Sequence, residues 1–247
     1  MALLHSFEKS GNTLFKHRGQ IPVVLFVLAI PIVFFTNYNN IPESFQNGLT
    51  IVSIFISFMG FVIRAYAIGT TPKGTSGRNT KEQVADSLNH TGIYSTVRHP
   101  LYLGNYLMWI GIVMFTFNIY FVVIVSLAYW LYYERIMFAE ERFLERKFGE
   151  EYLEWSKKVP AFIPGFKNYL RGSIPFSFIT ILRREYSGVL ATVVGFAFID
   201  HLRFYVLNNS FSPWRISTYA VLVFAFLAFL LRTLKHHTKL LNEEGRW

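Results

Sequence analysis

Six apolar stretches constrain this chain more than any other feature of its sequence. A helix needs about 20 apolar residues to cross a bilayer, and the stretches are residues 21–36, 49–69, 101–117, 120–133, 187–207 and 216–231. Charged residues make up only 16 % of the chain, whereas soluble proteins carry about 25 %. The pattern predicts an all-α, polytopic integral membrane protein with about six transmembrane helices. Only two residues separate the third and fourth stretches, which predicts a tight helical hairpin.

The positive charges predict how these helices are oriented. The formal net charge is +9, and ten Lys and Arg fall in residues 134–186. Residues 37–48 hold no Lys or Arg, and residues 208–215 hold only Arg215. Because Lys and Arg accumulate in cytoplasmic loops, we expect both termini and the polar segments 70–100 and 134–186 in the cytoplasm. In a bacterium the membrane would be the inner one. Topology accounts for the charge, so nucleic-acid binding is not expected.

The chain contains no Cys, which excludes disulfide scaffolds, thiolate catalysis and Cys-based metal sites. Aromatic residues reach 18 %, which excludes intrinsic disorder. His236 and His237 are adjacent near the end of the chain without a further ligand set, so no metal site is predicted. Function is therefore sought in the two polar segments.

The first of these segments ends in a motif at residues 88–102, where the third apolar stretch begins. Pro100 suits the first turn of a helix, whose free N–H groups favour an anionic group. Arg98 and His99 add donors there, and Tyr94 and Tyr102 add aromatic faces for a heteroaromatic ring or a sulfonium. The alternative is a basic anchor and an aromatic belt at the membrane edge.

The second motif, residues 134–152, is predicted to continue the fourth stretch as a helix that ends at Gly149. Its charges could belong to an amphipathic helix on the membrane surface. That alternative is weaker for four residues at the membrane edge, where unpaired charge is costly: Glu134, Arg135, Glu140 and Glu141. Earlier in the chain, Arg64 is expected to extend its charge to the membrane edge, with a place in a pocket as the alternative.

Together, the two motifs resemble the isoprenylcysteine carboxyl methyltransferase and phospholipid methyltransferase family of integral membrane enzymes. The resemblance covers about residues 88–164, and outside that range only the membrane character agrees. The matching residues follow the family's order and spacing: Gly92-Ile-Tyr94, Arg98-His-Pro-Leu-Tyr102-Leu-Gly104, Glu140, Glu141, Leu144, Phe148, Gly149, Tyr152, Val159, Pro160 and Pro164.

The resemblance implies S-adenosylmethionine as methyl donor, bound on the cytoplasmic side. It implies a donor pocket lined by Leu88, Asn89, Tyr94, His99, Pro100, Leu101, Tyr102 and Glu140, to which the motif itself adds Arg98. A lipid or lipidated acceptor with a carboxylate, phosphate or amine would enter from the bilayer. Three residues are candidates for catalysis: Arg135 to hold an anionic acceptor, Glu140 on the donor side, and Glu141 to orient Arg135 or accept a proton. Arg98 is the second candidate to hold the acceptor.

One departure from the family bears on the acceptor. Eukaryotic isoprenylcysteine enzymes carry a substrate-contacting Arg at the position of Ile136, and Arg135 is its neighbour here. Because a helix turns about 100° per residue, Arg135 would point elsewhere. The sequence therefore looks closer to prokaryotic members of the family.

The resemblance also suggests how the chain is divided. Residues 1–170 would form a four-span methyltransferase core with the cofactor site at 88–164, and residues 171–247 would add two transmembrane helices. Two alternative functions share this architecture, namely an NADPH-dependent membrane reductase of the sterol-reductase type and a non-catalytic protein of the nurim type.

Overall fold

The protein was analysed as a computed structural model, which describes residues 2–72, 74–75, 83–167, 169–172, 174–243 and 245–246. These residues form eight α-helices and their connections, with no strand among them. The helices are α1 (Ala2–His17), α2 (Ile21–Phe35), α3 (Glu43–Gly69), α4 (Pro100–Met114), α5 (Ile119–Phe148), α6 (Glu150–Ser156), α7 (Phe178–Asn208) and α8 (Ile216–His237). Short 3-10 turns lie at Tyr38–Asn40 and Gly92–Ser95. The expected all-α membrane fold is confirmed.

Each predicted apolar stretch forms one helix, but the helices differ in length. By length and composition, α3, α5, α7 and α8 can cross a membrane. The other two, α2 and α4, are apolar but only 15 residues long, short of the roughly 20 that a full crossing needs. Their crossing of the bilayer stays a prediction. The expected ends of two helices are confirmed, since α4 begins at Pro100 and α5 ends before Gly149, which has a φ of 54°.

The most extensive helix contact among the described residues is between α3 and α4, and small residues make it possible. A Cβ atom on Gly60 would lie 2.6 Å from the carbonyl oxygen of Gly104, a distance that real side chains do not reach. One helix turn farther on, the Ser57 hydroxyl donates to the carbonyl of Met108 at 2.7 Å. The two backbones therefore touch, and the N-terminus of α4 is held beside the C-terminus of α3. We call this end of the bundle the site end.

Helix α1, which no apolar stretch of the sequence predicts, packs along the charged half of α5. A Cβ on Gly11 would lie 2.1 Å from the carbonyl oxygen of Arg135. The Tyr132 hydroxyl donates to the carbonyl of Leu14 at 2.7 Å, and Phe15 is buried against α5. The turn after α1 consequently lies at the site end.

The opposite end is closed by polar contacts between connections. Tyr38 donates to the carbonyl of Thr116, and Arg203 donates to the carbonyl of Phe115 while its guanidinium lies 3.7 Å from the ring centroid of Phe117. Asp200 accepts two hydrogen bonds of 2.7 Å from Arg215. These contacts join the connections at this end to α7.

Helices α7 and α8 are attached to the rest of the bundle at the site end. The backbone N–H of Ser177 donates to the carbonyl of Gly69, the last residue of α3, at 2.9 Å. Near the end of the chain, the buried Arg246 donates to the carbonyls of Gly69, Thr71 and Pro175. The start of α7 is thereby fixed beside the end of α3.

Candidate functional site

A cavity of about 370 Å³ opens at the site end, within the range of about 300–1,000 Å³ that is usual for small-molecule sites. It lies among the start of α4, the second half of α5, the segment before α4 and the start of α7. Charged and aromatic residues make up much of its wall, among them Arg18, Arg64, Tyr94, Arg98, His99, Tyr102, Tyr133, Glu140, Glu141, Trp155 and Glu185.

The dipeptide Arg98-His99 is held in place by the segment that returns after α6. The N–H groups of Arg98 and His99 donate to the carbonyls of Pro160 and Ala161 at 2.9 and 3.1 Å. The guanidinium of Arg98 also donates to the carbonyls of Ser156 and Val159. Pro160 and Pro164 end the helical conformation after α6 and favour an extended chain. This returning segment fixes both side chains at the N-terminus of α4.

Glu141 on α5 is the common partner of this dipeptide. Arg98 Nε donates to its Oε1 at 2.9 Å, and Arg98 Nη2 reaches Oε2 at 3.3 Å. His99 Nε2 lies 2.9 Å from Oε1 and must donate, because a carboxylate only accepts. A fork of two bonds from arginine to a carboxylate fixes geometry as well as charge. Glu141 therefore joins the α4 N-terminus to α5.

Glu140, the neighbouring carboxylate, faces a group of stacked aromatic rings. The Tyr102 hydroxyl donates to Glu140 Oε2 at 2.9 Å, and His99 stacks on Tyr102 with ring centroids 5.6 Å apart. Tyr133 packs against Tyr102 with ring centroids 5.0 Å apart and stacks on Tyr129 at 4.1 Å. The result is one carboxylate beside several aromatic faces, an arrangement that suits a cation or a heteroaromatic ring.

Two tyrosines outside the membrane-crossing helices stay protonated in this site. Burial, followed by the negative charge of Glu140, raises the pKa of the Tyr94 phenol to about 12. Burial and the charge of Glu141 hold the pKa of the Tyr152 phenol well above its usual value. The Trp155 indole donates to the carbonyl of Tyr94 at 3.1 Å and fixes the loop that carries it. Both hydroxyls are thus available as donors at neutral pH.

The structure brings nearly all of the sequence-predicted site residues to one cavity. Eight of them form a wall on the α4 side, namely Leu88, Asn89, Tyr94, Arg98, His99, Pro100, Leu101 and Tyr102. From α5, Glu140 and Glu141 face this wall. Their roles stay predictions, but their convergence is a property of the fold.

Arg135 is not among the residues that line the cavity. Its guanidinium lies 3.2 Å from the ring centroid of Phe7 on α1, because the turn of α5 directs it toward that helix. Glu134 is exposed, and Ile136 is fully buried in the core. The structure thus gives no support to the predicted contact of Arg135 with an acceptor. It also gives no support to the prediction that Glu141 orients Arg135, because Glu141 binds Arg98 and His99 instead.

Several lining residues were not found by the sequence analysis. Arg18 follows α1, and Asn105 lies one turn beyond Leu101 on α4. Arg184 and Glu185 come from α7, and Glu185 binds Arg64 with two bonds of 2.7 Å. Arg64 therefore lies in the cavity wall instead of extending to the membrane edge. The available signal was Arg64, a charge within the apolar stretch 49–69, which is costly unless it is paired.

Comparison with known proteins identifies the segment that builds this cavity. The family model for phospholipid methyltransferases matches residues 47–151, which include most of α3, all of α4 and α5, and the motif before α4. Over these residues the chain is similar to the phospholipid methyltransferase family. The match begins about 40 residues before the predicted resemblance, at the start of α3, and it ends before the return segment.

The chain is also similar to several curated proteins. The chain is 30 % identical over 114 residues to protein-S-isoprenylcysteine O-methyltransferase of Schizosaccharomyces pombe, covering 44 % of this chain and 48 % of the relative. It is 34 % identical over 123 residues to the protein of the same name from Xenopus laevis, covering 48 % and 42 %. It is also 36 % identical over 89 residues to the nickel-cobalt-cadmium resistance protein NccN of Alcaligenes xylosoxydans xylosoxydans, covering 36 % and 39 %.

Each of these matches covers less than half of both chains. No solved structure matches the chain significantly. The family therefore identifies the segment that contributes most of the cavity, while α1, α7 and α8 lie outside it. Closeness to the prokaryotic members stays a prediction.

Proposed function

We propose that this protein is an S-adenosylmethionine-dependent methyltransferase that acts on a membrane-embedded lipid or lipidated acceptor at the cytoplasmic face. The observation that carries the proposal is the convergence of the family's motif residues, from Arg98 to Tyr102 with Glu140 and Glu141, on one cavity at the end of an apolar bundle. Two relatives named as isoprenylcysteine O-methyltransferases support the same reaction class.

The lining residues fit the chemical groups of this donor. Arg98 and the free N–H groups of the first turn of α4 suit its carboxylate. Glu140 suits its ammonium group or ribose hydroxyls, and the faces of Tyr94 and Tyr102 suit a sulfonium or an adenine ring. When bound, the donor supplies an electrophilic methyl group.

The protein's own contribution is to position the reactants and exclude water. Glu141 is engaged by Arg98 and His99, so it keeps the α4 N-terminus at a fixed distance from α5. Tyr102 orients Glu140 through its hydroxyl. Holding two reactants in one orientation supplies much of the rate of such a displacement.

The proposal extends to the rest of the chain. Residues 1–170 form the catalytic core, and residues 171–247 add two membrane helices, of which α7 also lines the cavity through Arg184 and Glu185. Both termini are cytoplasmic, and a bacterial source implies the inner membrane. Lipids of the bilayer surround the apolar faces of the helices. The acceptor reaches the cavity from the bilayer.

Donor binding by the purified protein in detergent tests the proposal. We expect S-adenosylmethionine and S-adenosylhomocysteine to bind with dissociation constants on the order of micromolar, and NADPH not to bind. Glu140→Gln should weaken binding of both by about tenfold or more. The matched control is Glu145→Gln on the same helix, since Glu145 pairs with Arg142 outside the cavity. Binding of NADPH alone, or of no nucleotide by folded protein, would overturn the proposal.

A further inference from the structure

The end of the connection between α6 and α7, together with the first turn of α7, has a surface of large apolar side chains. We call residues 163–179 the connecting segment. The sequence assigns them to a polar region in water, yet seven of their side chains are large, hydrophobic and exposed: Ile163, Phe166, Tyr169, Leu170, Phe176, Phe178 and Ile179. Phe166 is 75 % exposed and Phe178 is 73 % exposed. Single exposed hydrophobic residues are ordinary, but a group of them marks a surface that binds something apolar.

The aromatic rings of this segment continue onto the end of α3. The ring centroids of Phe176 and Phe178 are 4.8 Å apart, and Phe176 stacks on Tyr66 of α3 at 6.3 Å. The hydroxyls of Tyr66 and Tyr169 lie 3.2 Å apart, so one donates to the other. Rings that combine an apolar face with a polar tip are typical of the level at which a membrane meets water.

Hydrogen bonds fix the backbone of the connecting segment to the rest of the bundle. The N–H of Leu170 donates to Ser95 Oγ at 2.9 Å, and its carbonyl accepts from the N–H of Gly92 at 2.8 Å. Farther along, the N–H of Ser177 donates to the carbonyl of Gly69 at 2.9 Å. The apolar side chains are therefore held on the surface by a backbone that is bonded on both sides.

The connecting segment lies at the level where the membrane-crossing helices leave the hydrocarbon. Helix α3 is long and apolar enough to cross a membrane, and its apolar stretch 49–69 ends at Gly69, the residue that binds Ser177. Helix α7 can also cross, and its apolar stretch begins at residue 187, after the turns that start at Phe178. The exposed rings thus lie at the edge of the bilayer, beside the apolar end of α3.

The charge of the connecting segment is complementary to an acidic lipid surface. Lys167 and Arg171 are exposed on either side of Tyr169 and Leu170, and residues 163–179 contain no Asp or Glu. No carboxylate of the described residues forms an ion pair with either basic side chain. One Lys or Arg close to an anionic membrane surface favours binding to it by about fivefold.

We propose that the connecting segment is a binding surface for acidic phospholipids of the surrounding bilayer. Leu170, Phe176 and Phe178 lie at the boundary of the hydrocarbon, and Lys167 and Arg171 bind the phosphate groups. These five residues do not line the cavity, so the lipids are neighbours of the protein and not its substrate. The proposal does not depend on the methyltransferase function proposed above.

The position of the segment is tested with single thiols, because the chain contains no Cys. An environment-sensitive fluorophore is attached at Phe166→Cys in the segment, at Glu154→Cys as an exposed reference in α6, and at Val223→Cys as an exposed apolar reference in α8. The full-length protein is reconstituted in vesicles of phosphatidylcholine and phosphatidylglycerol. We expect brominated acyl chains to quench the labels at 166 and 223, and aqueous iodide to quench mainly the label at 154.

The headgroup is tested with bromine on one of the two lipids at a time. At residue 166, brominated phosphatidylglycerol should compete about fivefold or more better than brominated phosphatidylcholine, whereas the ratio at residue 223 should be near one. The double variant Lys167→Gln with Arg171→Gln should bring the ratio at 166 close to one. The matched control is Lys158→Gln, an exposed basic residue just before the segment, which should leave the ratio unchanged.

Several outcomes would overturn the proposal. Equal quenching by iodide at residues 166 and 154 would show that the segment lies in water. Equal competition of the two brominated lipids at 166, or an unchanged ratio in the double variant, would exclude acidic lipid bound by these two side chains. Energy transfer between labels at 166 that persists on dilution with lipid would show that a second copy of the chain covers the surface instead.

Discussion

Arg64 of α3 and Glu185 of α7 form a two-bond ion pair inside the wall of the cavity, with both N–O distances at 2.7 Å. The Arg64 side chain is 17 % exposed and that of Glu185 only 2 %. Arg64 also donates to the side-chain oxygen of Asn105 on α4 at 2.7 Å. The pair thus joins α3, α4 and α7, so α7 contributes to the cavity as well as to membrane anchorage.

Glu185→Gln should destabilise the protein strongly. Removing one partner of a buried pair leaves the other charge uncompensated, at a cost of about 3–5 kcal/mol. Thermal unfolding in detergent measures the loss. Arg64→Met combined with Glu185→Leu should regain much of it, because an apolar pair of similar volume removes both charges. Glu154→Gln, which breaks an exposed pair with Lys157, is the control and should not shift the unfolding temperature.

Arg98→Lys should loosen the return segment after α6. The Arg98 guanidinium donates to Glu141 and to the carbonyls of Ser156 and Val159 at the same time. The compact ammonium of lysine cannot make all of these hydrogen bonds. We expect faster amide hydrogen exchange in residues 156–161 and about tenfold weaker binding of S-adenosylmethionine. Arg142→Lys, on the same helix as Glu141 but outside the cavity, should change neither quantity. Unchanged exchange in Arg98→Lys would refute the proposed role of this contact.

Tyr102→Phe should weaken donor binding while leaving the fold intact. The substitution removes only the hydroxyl that donates to Glu140, and a hydrogen bond to a charged group contributes about 1.5–3 kcal/mol. Calorimetry should therefore show S-adenosylmethionine binding reduced by about tenfold or more. Tyr106→Phe is the matched control. Tyr106 lies one helix turn after Tyr102, its hydroxyl donates to Ser126, and it does not line the cavity. Equal losses in the two variants would contradict a specific role for Tyr102.

The stability of the protein should fall between about pH 10 and 12, with Tyr94 as one contributor. Burial and Glu140 raise the pKa of this phenol from 10.0 to about 12. Above pH 10 the unfolded chain releases the proton while the folded protein retains it, so unfolding becomes more favourable as the pH rises. Unfolding temperatures measured at pH 9 to 12 should fall less steeply in Tyr94→Phe. A parallel decline in both proteins would contradict the assignment.

The sequence predicted the helices because their formation depends on local pattern. Apolar stretches of sufficient length, a proline at the first turn of α4 and a glycine after α5 place those helices and two of their ends. The motif before α4 and the Glu140-Glu141 pair were recognisable for the same reason, since they are short and contiguous. Helix α1 was missed because its apolar residues are few and interspersed with polar ones.

Which charges meet was decided only by the tertiary structure. Arg98 and Glu141 are 43 residues apart and Arg64 and Glu185 are 121 apart, and no local rule pairs them. Their meeting depends on the close contact of α3 with α4 at Gly60 and on the attachment of α7 to the end of α3. The positions of Arg135 and Arg18 could not be predicted from local sequence either. Arg135 points toward Phe7 because a helix turns about 100° per residue, and the packing of α1 brings Arg18 to the cavity. Local sequence determines the helices, and the directions in which they pack determine the site.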